Sequence, residues 1–370
     1  MYYAAGGKRE KIAFASHVSP HDRVTSTAGA TMSPHNDLTR RSFLGSAAAT
    51  VAAVHLNLGK TTMPTTTTAS ASTGRTFDVK QIKAGLLDVG YADVGPRNGP
   101  PVLLLHGWPY DIHSYVDVAD ILTAKGHRVV IPHLRGYGST RFLSRGAVRN
   151  GQQAALGVDT IDFMDALGIK QAIVAGFDWG SRTAGIVGAL WPERCKGLVC
   201  VSGYLLVNRE ANQQPLPPRA ELGWWYQYYF ATERGRHGYD ANRYEFNKLI
   251  WQLASPTWKF DDATYGRSAA AFNNPDHVEI VIHNYRWRLS LAPGEPRYDT
   301  LEQRIAAGPA IKVPSITISS DFDGAAADGA AYAKRFVGPY AHRVLKGIGH
   351  NVPQEAPDAF AKAIIDVATM

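Results

Sequence analysis

Cysteine is nearly absent from the 370 residues: Cys195 and Cys200, both in one apolar segment, are the only two, which excludes a disulfide framework. Long hydrophobic runs are missing too. No stretch reaches the ~18 consecutive apolar residues of a membrane span, so the mature chain is expected to be soluble, without stable membrane insertion. No cluster of His, Cys and acidic residues has metal-ligand spacing and no glycine-rich phosphate loop occurs, so neither a metal nor an organic cofactor is implied. The net charge of +7 is unevenly placed: up to Ala71 seven Lys or Arg face three Asp or Glu, leaving about +3 for the rest. That is too little to argue for nucleic acid or another polyanionic partner. With 45% apolar and 19% charged residues the composition is that of an ordinary globular protein, long enough for one large domain or two modest ones.

What is present begins with a leader foreign in composition to the remainder. Thr39-Arg40-Arg41-Ser42-Phe43-Leu44 precedes a run of small and apolar residues from Gly45 to Val54, then a Thr/Pro/Ser/Ala stretch from Thr61 to Thr73. This resembles a twin-arginine export signal, with Ala69-Ser70-Ala71 as a place where a peptidase could cut. The resemblance implies the twin-arginine machinery as a partner and a periplasmic or secreted location. A disordered basic tail is the alternative. The part before Thr39 is longer than such a signal needs, as if the start codon were set too far upstream. Residues 1–71 are therefore expected to stand apart from the folded domain.

From about Thr76, short β-rich runs alternate with helical stretches, the pattern of a mostly parallel sheet covered by helices. Strands are predicted at Val102 to Leu105, Arg128 to Ile131, Ala172 to Ala175, Lys196 to Val201, Ser315 to Ser319 and His342 to Leu345. A C-terminal helix is predicted near Pro357 to Val367. The first three strands run into His-Gly-Trp-Pro, Arg-Gly-Tyr-Gly and Gly-Phe-Asp-Trp-Gly, in the place where open parallel sheets hold their ligands. Between Leu205 and about Ala310 the alternation stops. Helical spacing in Leu222 to Phe230 and His277 to Leu289, among many aromatics, predicts a helical cap inserted after a core strand. The expected organisation is core over 72–204, cap over 205–310 and core again over 311–370.

Gly176-Phe177-Asp178-Trp179-Gly180 has the form of a nucleophile elbow, with Asp where Ser is usual. A strand precedes it, and Ser181 to Leu190 reads as the following helix. The competing reading is an Asp that only caps that helix. The residue type carries chemistry: a serine alkoxide attacking saturated carbon would leave an ether, whereas a carboxylate leaves an ester that an activated water can cleave. The reacting centre is thus expected to be an sp3 carbon. Near the C-terminus, Gly347-Ile-Gly-His350-Asn-Val-Pro follows the last strand, which predicts His350 over the same face as the base that activates the water. The orienting acid should follow Ser315 to Ser319, where Asp321 and Asp323 both stand; the α/β-hydrolase pattern that this order of elements resembles implies Asp323, with Ser320 in place of that pattern's glycine and Asp321 left open. Two backbone N–H groups, of Trp108 and Trp179, are positioned to form an oxyanion hole.

These blocks, in this order, resemble the epoxide hydrolase and haloalkane dehalogenase branch of the α/β-hydrolase superfamily, over roughly Phe77 to the C-terminus. The resemblance implies an α/β-hydrolase fold and, for epoxide opening, two cap tyrosines that protonate the leaving oxygen. Carried over, these are Tyr226 in Trp225-Tyr226-Gln-Tyr228-Tyr229-Phe230 and Tyr285 in His283-Asn-Tyr285-Arg286-Trp287, with Tyr228 or Tyr229 as alternatives to Tyr226. An alkoxide leaves poorly without a proton, which a phenol of pKa ~10 can supply. Halide needs only N–H donors, for which Trp224, Trp225, Trp251 and Trp258 are candidates. Arg286 and Arg288 are expected in cap ion pairs, and would bind a carboxylate if the substrate were a haloacid. Phe177 and His133 depart from the pattern, standing where a polar residue and an Asp are frequent. The expected substrate is a small apolar epoxide, with dehalogenation as the alternative; a non-catalytic ligand-binding protein on the same scaffold would have no chemical need of Asp178 and His350.

Overall fold

At the C-terminal end of β3 (Pro101–Leu105), Leu105 is paired in register with Gly176 of β6 (Ala172–Gly176), which sets the loops bearing Trp108 and Asp178 side by side. The computed structural model describes residues 75–370; the leader, with its paired arginines, apolar run and cleavage site, lies outside them. One sheet of nine strands runs through the described chain. β1 (Lys80–Ala84) and β2 (Leu87–Val94) form an antiparallel pair at one edge, and β2 also pairs antiparallel with β4 (Arg128–Pro132) and with the short β5 (Arg141–Phe142). From β4 onward the sheet is parallel, through β3, β6, β7 (Cys195–Val201), β8 (Ser315–Ser319) and β9 (Tyr340–Val344).

β6, Ala-Ile-Val-Ala-Gly, is buried at every position, as expected of a central parallel strand covered on both faces. β8 is equally buried although it reads Ser-Ile-Thr-Ile-Ser. Its polar side chains are satisfied inside: Ser315 Oγ donates to the Val313 carbonyl at 2.8 Å, and Thr317 Oγ1 lies 2.8 Å from both Tyr340 Oη and His342 Nδ1. α1 (Val116–Ala124) packs with the C-terminal α12 (Pro357–Val367), and α2 (Gln153–Ala166) packs with α3 (Trp179–Leu190), which sheathes the sheet. The short α11 (Val352–Glu355) precedes α12.

Between β7 and β8 come the helices of the inserted segment: α4 (Pro218–Gly223), α5 (Trp225–Ala231), α6 (Glu233–Ala241), α7 (Arg243–Ala254), α8 (Asp262–Ala269), α9 (His277–Arg288) and α10 (Asp299–Ala306). Side chains set some of the breaks. Thr232 Oγ1 accepts the Gly235 N–H at 2.9 Å to start α6, and Asp261 Oδ1 accepts the Thr264 N–H at 2.7 Å to start α8. α10 differs from the rest, for it packs on α2 and α3, with Tyr298 and Ile305 buried against Ala154, Ile186 and Leu190. The segment 205–310 thus contains one helix packed within the core layer. Among the described residues no helix is long and apolar enough to cross a membrane.

Candidate active site

Asp178 sits at the turn from β6 into α3 with φ 53° and ψ −122°, a left-handed backbone that a side chain other than glycine's rarely adopts. The flanking glycines make the turn possible: a Cβ on Gly180 would fall on the Leu105 carbonyl, and one on Gly176 would fall on the Gly180 backbone. The turn projects the Asp178 carboxylate from the N-terminus of α3, where the helix dipole favours negative charge. Its Oδ1 accepts the Trp108 backbone N–H at 2.7 Å, and its Oδ2 lies 3.6 Å from His350 Nε2. The Trp179 N–H is the first of α3, one residue after Asp178, with no carbonyl in a preceding helical turn to bond.

The His-Gly-Trp-Pro loop is held from several sides. His106 Nε2 accepts the Leu134 N–H at 3.1 Å, while the Trp251 indole of α7 donates to the Pro109 carbonyl at 2.7 Å. His106 is fully buried, and burial lowers its pKa to about 4, so it stays neutral and able to accept. Arg135, in the neighbouring Arg-Gly-Tyr-Gly loop, is buried and bidentate to Asp159 at 2.6 and 2.7 Å. Burial opposes its charge, yet the paired carboxylate outweighs that and keeps its pKa above the ordinary value. His133, the departure noted in that loop, is buried with Nδ1 unbonded, and burial lowers its pKa to about 3.

His350 is anchored through its backbone. Its N–H is shared between the Ala254 carbonyl at 3.2 Å and Ser255 Oγ at 2.9 Å, both at the end of α7. Ser255 Oγ donates to Glu355 Oε1 at 2.6 Å, and Glu355 also accepts the N–H groups of Gly349 and Asn351 at 2.7 and 3.0 Å. One carboxylate thereby fixes both neighbours of the histidine.

A cavity of about 350 Å³ opens onto Asp178 and His350, walled largely by Leu222, Trp224, Trp225, Ile250, Leu253 and Phe322. Tyr226 of α5 lines it. Tyr285 of α9 stands behind, with its ring 5.3 Å from that of Tyr226 and 5.2 Å from that of Trp108. Both phenols are held well above the usual tyrosine pKa, first by burial and then by charge: for Tyr226 that of Asp178, for Tyr285 those of Tyr226 and Asp178. The alternatives are engaged elsewhere: Tyr228 is exposed and bonds Glu221, and Tyr229 stacks on Phe246 at 5.9 Å and 14°.

A model of the alpha/beta hydrolase fold family matches residues 100–238. The crystal structure of a candidate epoxide hydrolase from Klebsiella pneumoniae is 55% identical, superposes with a TM-score of 0.77, and is matched over 79% of this chain and 97% of its own. The chain belongs to the α/β-hydrolase family. Epoxide hydrolase B of Mycobacterium tuberculosis is 34% identical to this α/β-hydrolase over 158 residues, 39% of this chain and 44% of that protein. A haloalkane dehalogenase from Mycolicibacterium paratuberculosis is 33% identical over 119 residues, 32% of this chain and 39% of that protein. The matches thus span less than half the length of these curated relatives.

In this α/β-hydrolase neither Asp323 nor Asp321 bonds the His350 ring among the described residues. Asp323 does not meet His350; its Oδ2 accepts the Ser320 N–H at 2.8 Å, closing the 3-10 turn in which it sits. Asp321, the other candidate, accepts the Gly347 N–H at 2.8 Å. What lies 3.1 Å from His350 Nδ1 is the hydroxyl of Tyr110. Sequence reasoning missed Tyr110, Glu355 and the cap residues Tyr239 and His277 that hold Trp108. Tyr110 directly follows His-Gly-Trp-Pro and Glu355 ends the short α11 that follows His350, which are the only local signals either gives. Arg286 does form the expected cap ion pair, with Glu233 at 3.0 Å.

Proposed function

We propose that this α/β-hydrolase opens an epoxide to a vicinal diol through an ester on Asp178. The observation that carries the reading is a carboxylate at the apex of a strained elbow, placed between a backbone N–H donor at 2.7 Å and a histidine Nε2 at 3.6 Å, at the floor of an apolar cavity. The kinship with proteins named epoxide hydrolases supports it.

In this mechanism an Asp178 oxygen attacks a ring carbon, the carbon–oxygen bond breaks, and the departing oxygen takes a proton from the Tyr226 and Tyr285 pair. The Asp178 charge that raises both phenols disappears as the ester forms, so the tyrosinate becomes less costly at the moment it is needed. His350 Nε2 then removes a proton from water, whose oxygen adds to the ester carbonyl. The N–H groups of Trp108 and Trp179 hold the resulting oxyanion. Collapse expels the alkoxide, which takes the proton from His350, and the proton left on the carboxyl group restores the tyrosine. The new diol oxygen derives from Asp178, and the water oxygen stays in the carboxylate.

Intact-mass measurement of His350→Gln mixed with a panel of epoxides and haloalkanes tests this directly. An adduct equal to the whole epoxide is expected; an adduct with haloalkanes alone would assign the second reading, departure of halide. A single native turnover in heavy-oxygen water should place the label in Asp178, and label found only in the product would end the proposal. The export reading of the leader rests on Arg40 and Arg41, and a fusion of residues 1–71 to a reporter that is active only after twin-arginine export would check it.

A further inference from the structure

Three carboxylates surround the histidine loop and none turns to the imidazole: Asp323, Asp321 and Glu355 accept the backbone N–H groups of Ser320, Gly347, and Gly349 with Asn351. His350 Nδ1 instead lies 3.1 Å from Tyr110 Oη, and that hydroxyl has no other hydrogen-bond partner among the described residues. Tyr110 has no solvent exposure. Its ring stacks on His350 at 5.5 Å and 27° and on Trp251 at 5.0 Å and 24°; Trp251 stacks in turn on Trp258 at 5.4 Å and 28°. The Trp251 indole bonds the Pro109 carbonyl, one residue before Tyr110, and Phe177 packs against the Tyr110 ring at 4.9 Å. A hydroxyl fixed on so many sides sets the direction of the imidazole that it meets.

Resting on the reading of Asp178 and His350 above, we propose that Tyr110 is the positioning residue of the base: its hydroxyl oxygen accepts the Nδ1–H of His350 and leaves Nε2 as the lone pair facing the ester. The bond made at one ring nitrogen decides the protonation of the other. A phenol differs from a carboxylate in bringing no countercharge. Stabilisation of the imidazolium falls to the Tyr110 and Phe322 rings, the latter 4.4 Å from His350, because Asp178 carries no charge while esterified. Burial first, then the charges of Glu355 and Asp178 and the nearby Tyr226, hold the Tyr110 phenol well above its usual pKa, so it remains a neutral partner.

Quenched single turnovers of the full chain with an epoxide, read by intact mass, separate ester formation from ester hydrolysis. Tyr110→Phe keeps the stacked ring, so ester should form at the native rate and hydrolyse about 10- to 100-fold more slowly. kcat and KM should then fall together, with kcat/KM retained. Asp323→Asn should hydrolyse ester within about threefold of the native rate. Native hydrolysis in Tyr110→Phe, or slowing in Asp323→Asn as large as in Tyr110→Phe, overturns the proposal. Nitrogen NMR of His350 in the native protein provides a second measure: the proton on Nδ1 supports the assignment and the proton on Nε2 sinks it, whether or not an ester forms. No ester in any variant would instead refute the covalent role of Asp178.

Discussion

The indole N–H of Trp108 donates to the hydroxyl of Tyr239 at 2.9 Å, which ties the loop that faces Asp178 to α6. Tyr239 Oη lies 2.9 Å from His277 Nε2, and His277 Nδ1 lies 2.9 Å from the Gly136 carbonyl. A carbonyl only accepts, so Nδ1 carries the proton and Nε2 receives one from Tyr239. Donation therefore runs from Trp108 through Tyr239 and His277 to Gly136, with every member buried.

Removing the middle link should be felt at both ends. Tyr239→Phe strands the Trp108 N–H and the His277 lone pair without water, an expected loss of about 2 to 3 kcal/mol in urea unfolding. kcat should fall about tenfold as the Trp108 backbone N–H drifts from Asp178. Unchanged stability would mean that the relay is not formed in solution.

Three histidines set the acid limit of stability. Burial lowers His106 to about 4 and His133 and His277 to about 3, against ~6.5 in the unfolded chain. The unfolded chain binds protons below pH 6.5 that the fold refuses, so stability is full above that value and falls as pH drops toward 4. The expected slope is on the order of 1 kcal/mol per histidine per pH unit. Urea midpoints compared at pH 7 and pH 5 would read it, and a flat profile would refute the neutral burial of these rings.

Tyr226→Phe and Tyr285→Phe should each slow ester formation about 10²-fold, and the double variant should abolish epoxide opening. Because the Asp178 charge raises both phenols, the ester trapped in His350→Gln should show a tyrosine ionising at lower pH than in the free variant. Ultraviolet difference titration measures this. A tyrosine titration that does not respond to the ester would disconnect the phenols from Asp178.

Gly180→Ala should destabilise by more than about 3 kcal/mol, since the new methyl meets the Leu105 carbonyl, a backbone atom held within the sheet. Gly146→Ala, whose Cβ would meet only Ser144 Oγ at 3.7 Å, is the matched control. Equal thermal midpoints for the two variants would contradict the close approach of the elbow to β3.

β3 and β6 were legible because they are uninterrupted apolar runs ending in loops dense with glycine and polar residues. The edge was not: β2, Leu-Asp-Val-Gly-Tyr-Ala-Asp-Val, has only a brief alternation of Leu87, Val89 and Tyr91, and its place is set by pairing with β1 and β4. Asp178 and His350 stood out because each sits in a motif with a backbone requirement of its own. The partner of His350 was beyond reach for a physical reason. Tyr110 and His350 are 240 positions apart, whereas Ser320-x-x-Asp323 has the spacing of a capping box, a local sign that competes with the reading of Asp323 as the orienting acid. Tyr239 and His277, likewise, are ordinary helical residues until the fold brings them to Trp108.

The N–H of His350 bonds to Ala254 and Ser255, at the foot of a helix of the inserted segment, and Glu355 locks Ser255 to the histidine loop from below. A roof bolted in this way to the machinery beneath it does not swing as a free lid. Any movement that widens the chamber to discharge a product must either carry the histidine along or unfasten it. Departure of one product and readiness for the next substrate would then be a single mechanical event.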